Sequence, residues 1–353
     1  MRELIPSARV RCGAHPHSLD VADDTSLLEL NIPGTHGGTP LRDWLNATHV
    51  DSIVVLQRRN LILEWQASDV SPDEPHLLFS VTKSVTSLLV GTLVGDRLID
   101  VDALVTDYVP EVASSGFAGA TVRNLLDMTA AFAFVENYDP GDDLRAYRDA
   151  AGWYPTAPDS EGLRDFLVTR QPDGMHGERF RYQSPATDLL GWVIEAVTSQ
   201  PFATVLSERV WVPMGAEADA DLALDRFGIP RNAGGLSAIP RDMARLGLIV
   251  AEGGAGVVHA DYIDDLTRNG STEQWRVGDF APWLPGGAYR SCWYQPRVDP
   301  DAVMGVGIHG QMLYVDRARE VVVAKQSSWP VPDNTDLHND AYLACQAIAR
   351  ALG

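Results

Sequence analysis

The stretch Phe79–Gly91, FSVTKSVTSLLVG, places a serine and a lysine three residues apart where an apolar helical pattern begins. Apolar residues recur at helical spacing after Ser80, which predicts one helix that ends near Gly95. Two residues three positions apart on a helix share one face, with Cβ atoms roughly 5–6 Å apart. Lys83 and Lys325 are the two lysines of the chain, and arginine supplies the remaining positive charge. Because lysine is so rare in this chain, its presence at position 83 favours a chemical role over simple exposure to solvent.

Ser80 and Lys83 are the residue types that a nucleophile and its base require. Burial on the apolar face of a helix disfavours the ammonium, so Lys83 can lose its proton near neutral pH and then activate the serine. Arginine cannot do this, because its guanidinium stays protonated. The start of a helix also offers the Ser80 amide to a developing oxyanion. The alternative is that the spacing arose by chance.

Two further motifs carry candidate site residues. Tyr182-Gln183-Ser184 precedes a predicted helix, and Tyr182 can pass protons if a nearby cation lowers the phenol pKa; otherwise it only packs the helix start. The segment GVGIHGQ, residues 305–311, formally matches a dinucleotide fingerprint, but a strand-like pattern follows it instead of a helix. We interpret it as a strand edge where a substrate approaches the backbone, or as a simple glycine bulge.

The pattern of elements predicts an α/β (α+β) fold with strands at both ends of the chain and helices between them. Residues 51–66 are typical of a hairpin, residues 286–327 of further strands, and residues 337–352 of a closing helix, whereas residues 1–47 look irregular. We expect one antiparallel sheet flanked by helices, with a mainly helical domain inserted. The predicted division is 1–85 and 256–353 for the two parts of the α/β domain, and 86–255 for the insert.

Composition limits the partners. The net charge of −20 argues against nucleic acid and anionic membranes, because both would repel an acidic surface. The three cysteines are widely spaced and indicate neither a disulfide framework nor a metal pair, and we expect no cofactor. An apolar run of signal-peptide or membrane-spanning length is missing from the sequence, so the expected location is the cytoplasm. The expected partner is a small amide or ester substrate, and a homodimer stays open.

These motifs, in this order, resemble the class C β-lactamases and penicillin-recognition serine hydrolases. Within that family the chain looks most like the 6-aminohexanoate-dimer hydrolases, the nylon-oligomer amidases. The local matches lie between residues 79 and 333 and are FSVTKSVTSLLVG, AGW at Ala151–Trp153, FRYQSPATDLLGW, GVGIHGQMLYVD and KQSSWPVPD. The resemblance implies a β-lactamase-like fold over nearly the whole chain beyond the first 40 residues.

The resemblance also implies roles for individual residues. Ser80 would be the acylated nucleophile, Lys83 its base and Tyr182 the proton relay to the leaving group. The amides of Ser80 and Ile308 would form the oxyanion hole. The substrate-binding positions carried over by the resemblance are Tyr138, Asn232 and His309.

Two departures bear on the substrate. The chain has Ser184 where β-lactamases have the asparagine of Tyr-x-Asn, and it has no lysine in the strand that carries Lys-Thr-Gly, where His309-Gly310-Gln311 is the nearest candidate. A β-lactam carboxylate would therefore lose its usual cation. We expect a serine hydrolase that cleaves a small linear amide through an acyl-enzyme, with a carboxylesterase or acyltransferase at the same site as the alternative. A β-lactamase or a non-catalytic binding protein is the weaker interpretation.

Overall fold

The computed structural model describes residues 5–34, 38–138, 142–154 and 160–353, which form three sheets surrounded by helices. In chain order the strands of these residues are β1 (Ser7–Val10), β2 (Asp20–Val21), β3 (Asn31–Ile32), β4 (Thr39–Pro40), β5 (Val50–Gln57), β6 (Asn60–Gln66), β7 (His76–Leu77), β8 (Ala220–Ala223), β9 (Leu236–Ala238), β10 (Ala288–Arg290), β11 (Trp293–Gln295), β12 (Ala302–Gly307), β13 (Gln311–Asp316) and β14 (Val321–Ser327). The α-helices are α1 (Leu41–Ala47), α2 (Val81–Gly95), α3 (Val105–Tyr108), α4 (Val122–Leu126), α5 (Asp142–Ala150), α6 (Leu163–Val168), α7 (Ser184–Thr198), α8 (Phe202–Leu206), α9 (Pro240–Ala251), α10 (Ala260–Arg268), α11 (Thr272–Arg276) and α12 (Thr335–Ala351). Short 3-10 turns cover Thr25–Glu29, Pro110–Val112 and Ile308–Gly310, and a π turn covers Ser207–Trp211.

The main sheet joins the two ends of the chain, as the sequence predicts. Its strand order is β10-β11-β12-β13-β14-β5-β6-β2, and every neighbouring pair from β10 to β6 is antiparallel. The short strand β2 adds to β6 in parallel. The pairing of β14 with β5 brings together segments that are more than 250 residues apart in sequence.

Helices cover both faces of the main sheet. A Cβ atom on Gly247 of α9 would meet the side chains of Val322 and Leu313, so α9 lies on the face that these residues share. Cys345 of α12 instead contacts Met312, and adjacent residues of a strand point to opposite faces. Because both faces are covered, β14 is buried along its whole length, and its sequence VVVAKQS starts as a continuous apolar run rather than an alternating one.

Helix α7 connects the helical middle of the chain to α2. It contacts α2 and also α3, α4 and α6. The predicted division into 1–85, 86–255 and 256–353 stays a prediction. Helix α9 falls on the insert side of the predicted boundary, yet it packs on β5, β13 and β14 of the main sheet.

The described residues of the N-terminal region, 5–34 and 38–47, contain more regular structure than the sequence pattern predicts. Strand β1 pairs with β8, which lies more than 200 residues further along the chain, so nothing local in the sequence indicates it. This pair belongs to a second antiparallel sheet of order β1-β8-β9-β7.

The segment AYRSCWYQP, predicted as strand, divides into β10 and β11 at a two-residue turn. Ser291 and Cys292 both have positive φ, +48° and +61°, which is the backbone of a type I′ hairpin. Such turns normally use Asn and Gly, and here tertiary hydrogen bonds stabilise the turn instead. The Ser291 amide donates to Asp127 Oδ1 (2.9 Å) and the Cys292 amide to the Leu126 carbonyl (2.8 Å).

In the part of the chain that the structure describes, no single helix has the length and apolar character needed to cross a membrane. The pair Ser184–Thr198 and Phe202–Trp211 meets that requirement only when its two members, bent by 82°, are taken together.

Candidate active site

Ser80 lies between strand β7 of the second sheet and the first residue of helix α2. Strand β7 pairs with β9, and the Leu78 amide donates to the Leu236 carbonyl at 2.8 Å. Phe79 then takes a left-handed backbone with φ of +46°, which costs about 1–2 kcal/mol for a residue with a side chain. This sharp turn leaves Ser80 at the N-cap of α2, and we regard the strain at Phe79 as part of how the serine is presented.

The Lys83 amine lies against the Ser80 hydroxyl. Nζ is 2.8 Å from Ser80 Oγ and 2.7 Å from the carbonyl oxygen of Ala233, and the side chain is 1% exposed. Burial lowers the Lys83 pKa from 10.5 to about 8, although the charges of Glu136 and Asp188 partly oppose the shift. The amine can therefore accept a proton from Ser80 at mildly alkaline or neutral pH.

Tyr182 stands on the other side of Ser80, but its pKa moves opposite to the sequence expectation. The Lys83 Nζ atom lies 5.0 Å from the centre of the Tyr182 ring. Burial nevertheless raises the Tyr182 pKa well above 10, reinforced by the charge of Glu136, while hydrogen bonds with Ser80 and Tyr294 only partly compensate. The phenol therefore stays protonated, which suits the donation of a proton to a leaving group rather than the abstraction of one from Ser80.

The end of β12 runs close beside Ser80. A Cβ atom on Gly307 would lie 2.7 Å from the Leu78 carbonyl oxygen and 3.1 Å from the Ser80 amide nitrogen, so this position excludes any side chain. Ile308 follows immediately and lines the pocket beside Ser80. This close approach places the two backbone segments that carry the predicted oxyanion donors next to each other.

The second lysine of the chain supports that segment. Lys325 is 1% exposed, and its Nζ donates to the Gly310 carbonyl and to Ser327 Oγ, both at 2.6 Å. Burial lowers the pKa of Lys325 to about 8. The side-chain Nε2 of Gln311 also donates to the backbone carbonyls of His309 (3.2 Å) and Ser327 (2.6 Å). These contacts hold the turn of residues 308–310, where His309 has φ of +58° and its Nδ1 lies 2.7 Å from the Trp329 carbonyl oxygen.

Asp188 holds the backbone that contacts Lys83. Its Oδ1 accepts from the Ala233 amide at 2.9 Å, and Tyr147 donates to its Oδ2. Burial raises the Asp188 pKa to about 6. The structure does not bring the Asn232 side chain into the pocket: its side-chain amide packs against Gly191 of α7, where a Cβ atom would overlap it, and the Asn232 backbone carbonyl accepts from the Thr86 hydroxyl.

Glu136 organises the remaining predicted residues. Its carboxylate accepts from the Ser184 amide (2.5 Å), the Ser184 hydroxyl (2.7 Å) and the Tyr138 hydroxyl (3.0 Å). Burial raises the Tyr138 pKa well above 10, so the phenol remains a donor. The amide and the hydroxyl of Ser184 therefore both bond to Glu136. The longer side chain of an asparagine at this position would extend further.

Two lobes of the cleft meet at Ser80, Tyr138 and Ile308. The aromatic lobe has a volume of about 300 Å³ and includes Tyr182, Asp279, Phe280, Trp283, Tyr294, Asp333 and His338. The arginine lobe has a volume of about 200 Å³ and includes Glu136, Tyr147, Arg148, Trp153, Ser184, Arg231 and His309. A linear substrate with its reacting carbonyl at Ser80 would place one half in each lobe.

Sequence reasoning missed Glu136, Asp188 and Arg231. Asp188 had a detectable signal, because it is an acidic residue among apolar neighbours in SPATDLLGW, four positions after Ser184. Glu136 and Arg231 carry no local signal, since their contacts come from distant parts of the chain. Within the described ranges, no three His, Cys, Asp or Glu side chains are grouped so that they could hold a metal ion.

Comparison with known proteins identifies the family of the chain. Residues 46–348 match the family model described as Beta-lactamase. The chain is 34% identical to the 6-aminohexanoate-dimer hydrolase of Paenarthrobacter ureafaciens over 358 aligned positions, which cover 99% of this chain and 89% of the relative.

Solved structures show the same fold. A protein of Bacillus anthracis assigned as a 6-aminohexanoate-dimer hydrolase superimposes with a TM-score of 0.89 at 23% identity, covering 99% of this chain and 92% of its own. A D-stereospecific amidohydrolase from Streptomyces superimposes with a TM-score of 0.67 at 17% identity, covering 90% of this chain and 98% of its own. At these identities the superpositions establish the architecture alone.

Proposed function

The chain belongs to the beta-lactamase family and is a serine hydrolase of its amidase or esterase type, and from this premise we propose that it cleaves a small linear amide through an acyl-enzyme on Ser80. The observation that carries the proposal is the 2.8 Å contact between Ser80 Oγ and the buried, low-pKa amine of Lys83. A nucleophile and a base in hydrogen-bond contact, with the base tuned toward neutral pH, is the arrangement that nucleophilic catalysis requires.

In the proposed reaction, Ser80 Oγ attacks the amide carbonyl carbon and Lys83 takes the hydroxyl proton. The amides of Ser80 and Ile308 stabilise the oxyanion. The carbon–nitrogen bond then breaks, and Tyr182 donates its phenolic proton to the departing amine while it recovers a proton from Lys83. Water attacks the acyl-enzyme with Lys83 again as base, and the acid product leaves with Ser80 reprotonated.

The choice of an amide rests on the relative from Paenarthrobacter ureafaciens, because the two amino acids of a 6-aminohexanoate dimer are joined by an amide bond. A carboxylesterase or an acyltransferase would form the same acyl-enzyme and differ only in the leaving group or in the acceptor. Product analysis with and without an added amine distinguishes hydrolysis from acyl transfer. The cytoplasmic location and the expected absence of a cofactor stay predictions from the sequence.

Intact-mass spectrometry of the protein mixed with short-chain 4-nitrophenyl esters tests the proposal. We expect an acyl adduct that maps to Ser80 and is absent from Ser80→Ala, a substitution that removes one half-buried hydroxyl oxygen and leaves the melting temperature nearly unchanged. Ser87→Ala on the same helix is the matched control and should still form the adduct. An adduct on another residue, or turnover by Ser80→Ala above a few per cent, would overturn the assignment.

A further inference from the structure

The two lobes that meet at Ser80 carry opposite charge. Arg148 and Arg231 border the arginine lobe, where Glu136 is the one acidic side chain among the described lining residues. Asp279 and Asp333 border the aromatic lobe, where His338 lies 3.2 Å from the Asp333 carboxylate. Among the described lining residues, the arginine lobe therefore has two cations and one acid, and the aromatic lobe has two acids, of which Asp279 also pairs with Arg179 at 3.7 Å.

Arg231 is a buried cation whose hydrogen-bonding capacity is not satisfied. The side chain is 9% exposed, and its guanidinium stacks on the Trp153 ring at 4.2 Å and lies 5.6 Å from the Tyr147 ring. Within the described residues, its Nε and Nη1 atoms are buried without a hydrogen-bond partner. A buried charge with unpaired donors costs free energy, and an anion bound beside it would recover part of that cost.

Two carboxylates near Arg231, Glu136 and Asp188, attract its charge and also accept hydrogen bonds from neutral groups. The Glu136 carboxylate already accepts three hydrogen bonds, from the Ser184 amide, the Ser184 hydroxyl and the Tyr138 hydroxyl. Asp188 accepts from the Ala233 amide and from Tyr147. Arg148 adds a second, half-buried guanidinium that lies 5.8 Å from the Tyr138 ring. Two guanidinium groups and the Glu136 carboxylate therefore line the lobe that a substrate would enter.

The position of Tyr182 indicates which lobe takes the amine half of the substrate and which takes the acyl half. Tyr182 lines the aromatic lobe and not the arginine lobe, and a leaving amine must lie within reach of the phenol that protonates it. The amine half therefore occupies the aromatic lobe, where Asp279 and Asp333 favour the ammonium that forms on release. The acyl half occupies the arginine lobe.

From this charge separation we propose that the arginine lobe is a carboxylate subsite, and that the preferred substrates are linear amides whose acyl group ends in a carboxylate. Such a group presents two oxygens to the planar forks of Arg231 and Arg148, which match a carboxylate in geometry as well as in charge. The inference rests on the proposed function for the direction of cleavage, while binding of the anion does not depend on turnover.

Hydrolysis of matched 4-nitroanilides tests the subsite in the unaltered protein. The series holds the chain length constant and changes the terminal group: a glutaryl carboxylate, the corresponding neutral carboxamide and a 5-aminopentanoyl ammonium, with the adipoyl set in parallel. We expect kcat/KM for the carboxylate to exceed that for the carboxamide by about 10- to 100-fold, the range for one hydrogen bond to a charged group, with the ammonium lowest. Equal values across the series would overturn the inference and leave the serine hydrolase standing.

Variants assign the preference to the two arginines. Arg148→Gln and Arg231→Gln should each reduce the ratio of carboxylate to carboxamide kcat/KM by at least about 10-fold. Arg145→Gln, an exposed arginine of the same helix as Arg148, is the matched control and should keep the ratio. Arg231→Gln alters a buried network, so Arg148→Gln provides the test if the former does not fold. A ratio that survives in the folded variants would refute the subsite.

A binding measurement separates this inference from the proposed reaction. Isothermal titration calorimetry with the monoanilide of glutaric acid uses Ser80→Ala, which cannot turn it over, and repeats the titration in Ser80→Ala with Arg148→Gln. We expect the dissociation constant to rise by about 10-fold or more in the double variant. That result without any nitroanilide turnover would support the subsite and refute the amidase, whereas an unchanged constant would refute the subsite.

Discussion

Replacing Lys83 by arginine keeps the positive charge and removes the base. The structure lowers the Lys83 pKa from 10.5 to about 8, a difference that corresponds to about 3 kcal/mol against the ammonium. At pH 7 a group of pKa 8 is neutral in about one molecule in ten, and a group of pKa 10.5 in about one in three thousand. Burial therefore raises the population of neutral amine by about 300-fold.

Activity should rise with pH, because the neutral form of the Lys83 amine is the active form. We expect kcat/KM to rise about tenfold per pH unit up to an apparent pKa near 8 and then to level off. Because the pKa of Tyr182 lies well above 10, its phenol stays protonated through this range and the profile should not fall before strongly alkaline pH. Interaction between the two groups makes the measured value a property of the pair.

The assay is the initial rate on a confirmed amide or 4-nitrophenyl ester between pH 5.5 and 10, for the wild type, Lys83→Arg and Lys83→Ala. Arginine cannot give up its proton in this range, so we expect Lys83→Arg to lose at least about 300-fold and to match Lys83→Ala. Substantial activity in Lys83→Arg, or a pH profile that keeps its midpoint in that variant, would show that Lys83 is an electrostatic support and that another group is the base.

Three further predictions concern the strand and turn beside Ser80. Gly307→Ala forces a methyl group to within 2.7 Å of the Leu78 carbonyl oxygen, so we expect kcat to fall about 10- to 100-fold with KM less affected; wild-type kcat would contradict the close approach. Lys325→Met removes the hydrogen bonds to Gly310 and Ser327 and should lower kcat by a similar factor without moving the pH midpoint; a midpoint shift would assign the observed titration to Lys325. Nitrocefin should be hydrolysed far more slowly than short-chain 4-nitrophenyl esters, because residues 305–307 of β12 supply no cation for its carboxylate; comparable rates would show that this strand is misinterpreted.

Much of the catalytic centre is predictable because it is local. The spacing of Ser80 and Lys83 becomes a shared helix face as soon as the apolar pattern folds into α2. The prediction that strands from both ends share one sheet also holds, because each strand carries its own apolar run.

The Tyr182 pKa shows where local reasoning fails. A neighbouring ammonium is visible in the sequence motif, and on its own it predicts a lowered pKa. The aromatic side chains that bury the phenol, with Phe280 at 5.1 Å between ring centres, come from nearly a hundred residues further on. Desolvation is the largest cause and the charge of Glu136 adds to it, whereas hydrogen bonds with Ser80 and Tyr294 only partly oppose it, so the shift of the Tyr182 pKa is upward.

The sequence alone determined the fold class and the shared helix face of Ser80 and Lys83, the proposed nucleophile and base, because these depend on residue types at short spacing within single helices and strands. The tertiary structure alone decided the hydrogen bonds of Asp188 to the Ala233 backbone, the support of the 308–310 turn by Lys325, and the separation of Arg231 from Asp279 into two lobes. These features join segments that lie far apart in sequence. They depend on burial and on unpaired donors. Both arise only after the chain has folded and excluded water from the cleft.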